Sequence, residues 1–81
     1  MRNQPESGQT LVDWVKSTDP GLWFALAEWA KRNNIFEPWE RNFLSDLGRY
    51  RANGWRISER RARSAKRLYD EAVNRGFVFP S

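Results

Sequence analysis

Six short punctuation marks constrain this chain more than anything else in it. Asp19-Pro20, Glu37-Pro38 and Ser58-Glu59 each open a helix, and Asn33-Asn34, Asn53-Gly54 and Gly76 each close one. The reasons are local. Asp and Ser offer a side-chain oxygen to the unpaired N–H groups of a first turn, and proline suits a first turn because its missing N–H would have no partner there. Asn and Gly tolerate the left-handed backbone that ends a helix. Thr10, with Asp13 three positions on, reads as the cap of one further short helix that stops by Ser17. Between these marks the apolar residues recur at helical spacing and nowhere alternate as they would in a strand.

The fold class that follows is all-α, a small bundle of three main helices plus a short N-terminal one. The Gly/Pro/polar residues 1–9 read as a flexible arm, and residues 10–81 as a single helical domain. A chain of 81 residues has room for no second core. Leu11, Val12, Trp14 and Val15 supply the apolar side of the first helix, and Leu22, Trp23, Leu26, Trp29 and Ala30 share a face of the second. On the third, Trp39, Phe43, Leu47 and Tyr50 form a stripe with Leu44 beside it, while Arg41, Asn42, Ser45, Gly48 and Arg49 face away. Ala62, Ala65, Leu68, Tyr69, Ala72 and Val73 line the buried face of the fourth, with a neighbouring helix approaching closely at Ala62 and Ala65. The predicted core is Trp23, Leu26, Trp29, Trp39, Phe43, Leu47, Leu68, Tyr69 and Val73. Phe24 falls among polar positions and is expected either to contact another element or the tail or to stand exposed for a partner, and the apolar tail Phe77-Val78-Phe79-Pro80 is expected to fold back on the bundle, with use as a short docking peptide as the alternative.

Whole classes of chemistry are excluded by two missing residue types. Without cysteine there are no disulfides, thiolate zinc sites or thiol nucleophiles, and without histidine the commonest general base and metal ligand are gone. The carboxylates sit where capping and helix dipoles want them, as Asp13, Asp19, Glu37 and Glu40 do near helix starts. No Gly-rich phosphate loop, EF-hand spacing or paired-acid signature is present. The expectation is a non-enzyme with no metal, no cofactor and no small-molecule substrate, acting by binding. No apolar run is long enough to cross a bilayer and Met1–Gln9 contains no signal-peptide core, so a cytoplasmic protein without membrane contact is expected.

Charge points to the partner. Residues 1–40 carry four basic and six acidic side chains, whereas residues 41–81 carry ten basic and four acidic, and eleven of the fourteen basic residues are arginine. Six of them, Arg56, Arg60, Arg61, Arg63, Lys66 and Arg67, fall in twelve residues with Glu59 as the single acid. Arg60, Arg63 and Arg67 project from one side of the fourth helix, Lys66 lies at its edge, and Arg61 turns toward the buried flank. Pairs from Glu59 to Arg63, Lys66 to Asp70 and Arg67 to Glu71 are available at i,i+4 and would neutralise part of the cluster. Yet a helix start favours acids, and Arg60, Arg61 and Arg63 crowd this one, which suits an anion such as phosphate.

Nucleic acid is the leading partner, DNA or RNA, and two geometries are open. In one, the third and fourth helices form a helix-turn-helix variant with Arg60, Arg61 and Arg63 near base edges, although the connection Asn53–Ile57 is long for that motif. In the other, Arg49, Arg51 and Arg56 join the fourth-helix arginines in a basic surface bordered by Trp55, which either stacks on an unpaired base or plugs the hinge between helices. An acidic protein surface is the alternative partner.

The stretch Glu37-Pro38-Trp39-Glu40-Arg41-Asn42-Phe43-Leu44-Ser45-Asp46-Leu47, followed by Trp55-Arg56-Ile57-Ser58-Glu59-Arg60-Arg61-Ala62, resembles small helical modules of phage and mobile-element proteins associated with replication or DNA processing. In those modules the second helix opens Leu-Ser/Thr-x-Lys-Gln; here Ser58-Glu59 is kept and Arg60-Arg61 replaces Lys-Gln. The resemblance covers about half the chain and implies that Ser58, Arg60 and Arg61 open a structural helix. It also brings in the alternative function, an adaptor or inhibitor that docks on a host protein complex such as a CRISPR effector.

Overall fold

The computed structural model describes residues 8–79. Its four helices are α1 (Gly8–Lys16), α2 (Pro20–Arg32), α3 (Pro38–Asn53) and α4 (Glu59–Asn74), and no strand occurs among the described residues. The helix starts form as their residues dictate. Asp19 accepts the Gly21 N–H at 2.7 Å and Ser58 accepts the Arg61 N–H at 3.1 Å. Glu37 and Glu40 close a reciprocal capping box ahead of α3, in which the Glu37 N–H donates to Glu40 Oε1 at 2.8 Å. Three helix ends share one device: Ile35 donates to the Ala30 carbonyl, Trp55 to Tyr50 and Phe77 to Ala72, each across a residue at positive φ, namely Asn34, Gly54 and Gly76.

One start departs from expectation. α1 already includes Gly8 and Gln9, so Thr10 lies inside the helix and does not cap it. Gly8 and Gln9 of the expected arm over residues 1–9 are therefore helical, and residues 1–7 lie outside the described residues.

The helices assemble as two pairs. α2 and α3 form an antiparallel hairpin, with the Phe24 ring against Gly48 at one end and Lys31 facing Pro38 across a shared groove at the other. α1 and α4 run parallel, because the Glu59 carboxylate meets Gly8 at one end while Trp14 meets both Tyr69 and Lys66 further along. A parallel pair is possible because the α2–α3 hairpin lies between its members in the chain. Leu11, Val12, Val15, Leu22, Trp23, Leu26, Ala27, Leu44, Leu47, Ile57, Ala62, Ala65, Leu68, Ala72 and Phe77 form the core between the pairs. Phe77 packs on Trp29 at 5.5 Å between ring centroids and Phe79 reaches Gly21, so these two tail residues fold back along α2, while Val78 is exposed and Pro80 lies outside the described residues.

The predicted core needs three corrections. Trp39 and Val73 are exposed, and Trp29, Phe43 and Tyr69 are half-buried rather than central. Gly48, expected to face away, is buried. The corrections on α3, at Trp39, Phe43 and Gly48, follow from one fact: its contact with α2 is made at the glycine, where a missing side chain leaves room for the Phe24 ring. A Cβ at Gly48 would stand 2.8 Å from that ring. The buried face of α3 therefore centres on Leu44, Leu47 and Gly48, and rotates its large aromatics toward the edge.

Thr18, in the turn between α1 and α2, ties three helices together. Its hydroxyl donates to the Val15 carbonyl at 2.6 Å and accepts from the indole N–H of the fully buried Trp23 at 2.8 Å. Its own carbonyl accepts from Arg51 Nη2 of α3 at 2.7 Å.

Candidate nucleic-acid interface

The sequence places nine residues in a basic surface, and the structure divides them into groups that do different work. Arg51 is drawn inward by its bond to the Thr18 carbonyl, and its Nε is buried without a partner. It holds α3 against the α1–α2 turn and does not join the exposed basic surface. Arg61 is half-buried: its guanidinium lies 4.2 Å from the Tyr50 ring centroid and 5.6 Å from that of Phe43, and donates to the Tyr50 hydroxyl at 3.2 Å. The α3 and α4 backbones scarcely approach each other, and Arg61 fills the gap between them.

A second group is paired, with Arg49 and Arg67 exposed and Lys66 half-buried. Arg49 meets Asp46 at 2.6 Å, Lys66 meets Asp70 at 3.2 Å while lying over Trp14, and Arg67 meets Glu40 at 3.4 Å. Of the three i,i+4 pairs expected on α4, only Lys66–Asp70 forms. Glu59 turns to Gly8 instead of Arg63, and Glu71 pairs with Arg75 instead of Arg67. Screening and side-chain entropy make the pair at Arg49, where both partners are exposed, weak enough for a polyanion to displace the acid at small cost.

The third group is open. Arg56, Arg60 and Arg63 are exposed and make no ion pair or side-chain hydrogen bond among the described residues. Trp55, beside them, is 54% exposed, so it is no hinge plug; it touches Tyr50 edge-on at 5.3 Å. Ile57, two residues on, is the side chain that does plug the α3–α4 connection. A cleft of ≈ 500 Å³ adjoins this end of α4, lined by Val12 and Lys16 of α1 and by Trp55, Arg56, Ser58 and Glu59 among others. Lys16 is thus a cation of the site that sequence reasoning missed; its only signal was its place in the last turn of α1, and the bond from Arg51 to the Thr18 carbonyl sets that end of α1 beside the end of α3.

The helix-turn-helix geometry finds no counterpart. Arg61 reaches Tyr50 and Arg67 reaches Glu40, so α4 runs back beside α3 in the opposite direction. Arg61, one of the three residues expected at base edges, is held against α3.

No group of His, Cys, Asp or Glu among the described residues could hold a metal ion, and no described helix is long and apolar enough to cross a membrane. No family model matches the chain, and no curated protein or solved structure matches it.

Proposed function

We propose that this chain is a non-catalytic module that binds nucleic acid through its phosphate backbone, at the surface where α4 begins. The observation that carries this reading is the absence of any acidic partner at Arg56, Arg60 and Arg63 among the described residues, although most of the other cations of the basic surface have one. Three unneutralised guanidinium groups lie within eight residues at a helix start whose residual partial charge is also positive, and Lys16 shares the adjoining cleft with Arg56. A neutral or cationic partner gains nothing from this arrangement. A chain of phosphates gains both Coulomb attraction and the release of its condensed counterions.

The test is a titration of labelled single-stranded and duplex DNA and RNA at two salt concentrations. Four contacts, from Arg56, Arg60, Arg63 and Lys16, correspond to a slope of log K against log salt of about −3 on single strands. Joint charge reversal by Arg60→Glu and Arg63→Glu is expected to weaken binding by about 100-fold or more, with the thermal midpoint within a few degrees of the parent. Absence of binding at low salt would overturn the reading and transfer the basic surface to an acidic protein partner.

A further inference from the structure

Four aromatic side chains line the outer edge of α3 and the connection that follows it. Trp39 and Phe43 are one turn apart, and Tyr50 lies on the same side two turns further along. The Arg61 guanidinium sits between Phe43 and Tyr50, and Trp55 follows, its ring centroid 5.3 Å from that of Tyr50. The two ends of the strip are the most exposed: Trp39 at 64% and Trp55 at 54%. A single exposed apolar residue is ordinary, but two tryptophans at opposite ends of one edge, with half-buried rings and a stacked guanidinium between them, offer indole faces at both ends. The perpendicular contact with Tyr50 also leaves no parallel ring stacked on Trp55.

Charge decides what such a strip faces. Arg60 and Arg67 follow the adjoining side of α4, and Arg56 stands next to Trp55. A second copy of the chain would bring the same cations against them. An unpaired strand of nucleic acid satisfies both features, its bases stacking on the rings while its phosphates meet the arginines. A duplex has its π-faces closed.

We propose that the strip Trp39–Phe43–Arg61–Tyr50–Trp55 is a stacking platform for unpaired bases, so that the nucleic acid bound is single-stranded. This rests on the phosphate-binding reading above and adds the bases to it. From Trp39 to the end of α3 the platform runs roughly 20 Å at the rise of a helix, which matches about six stacked nucleotides.

The experiment uses the full chain and three probes of equal length: a mixed-sequence single-stranded oligonucleotide, an abasic single strand that keeps every phosphate but lacks bases, and the duplex, which carries twice the phosphates with its bases closed. The expected result is that the intact single strand binds at least 5-fold more tightly than either the abasic strand or the duplex. Trp39→Ala and Trp55→Ala are each expected to weaken the intact strand by roughly 5- to 100-fold while leaving the abasic strand unaffected. Equal binding of intact and abasic strands, or equal binding of single strand and duplex, overturns the platform and leaves the phosphate reading standing. Failure of all three probes at low salt overturns both. Because the abasic probe alters the ligand and not the protein, the result does not depend on whether a tryptophan variant folds.

Discussion

Two aromatic clusters of similar make-up have opposite fates in this molecule. Around Trp23, the rings of Trp14 and Tyr69 approach at 5.7 and 6.3 Å, and Trp14 meets Tyr69 at 5.2 Å, all in edge-to-face arrangements. Around Tyr50, the ring of Trp55 approaches edge-on at 5.3 Å while Arg61 covers a face. The first cluster is closed: α1, α2 and α4 all contribute, Trp23 is fully buried, and its indole N–H is satisfied by Thr18. The second stays open, because α3 and α4 are held apart by a charged side chain that itself prefers partial hydration. Ring contacts do not make a core; what does is a third element that covers them and a partner for every polar atom enclosed.

That contrast can be broken in graded ways. The largest effect is expected from Trp23→Ala, which empties the centre of the closed cluster and should cost about 3–5 kcal/mol in urea unfolding. For a domain of this size that is most of the stability, so a loss below 1 kcal/mol would show that the cluster is not the centre of the fold. Thr18→Val keeps the shape but strips the buried indole N–H of its acceptor, for an expected loss of about 1–3 kcal/mol. Arg61→Ala should cost about 1–2 kcal/mol, from two ring contacts and the packing of its stem, read as a drop in thermal midpoint. At the small end, Trp55→Ala should cost under about 1 kcal/mol and Trp39→Ala within about 0.5 kcal/mol. If Trp39→Ala destabilised as strongly as Trp23→Ala, the division into a closed and an open cluster would be lost.

The same division runs through the basic residues. Arg51 and Arg61 bind to the fold, and Arg56, Arg60 and Arg63 do not. All five are arginines within thirteen residues of one another, and nothing in their spacing separates Arg51 from Arg56. The inward turn of Arg61 was legible from its position next to the buried face of α4. The capture of Arg51 was not, because its acceptor is a backbone carbonyl 33 residues away. Lys16 joined the site for the same reason: the contact that sets the end of α1 beside the end of α3 has no mark in either helix.

What the sequence determined by itself is everything governed by contacts within a few residues. Helix starts at Asp19, Glu37 and Ser58 and stops at Asn34, Gly54 and Gly76 form where their side chains and backbone freedom require, as does the clustering of positive charge at the start of α4. Only the tertiary structure decided which face of α3 is buried and which tryptophans are left outside. Periodicity ranks a face by the size of its apolar side chains, whereas two helices meet where their backbones come closest. Here that place is Gly48, whose empty position accepts Phe24 and turns Trp39 toward solvent.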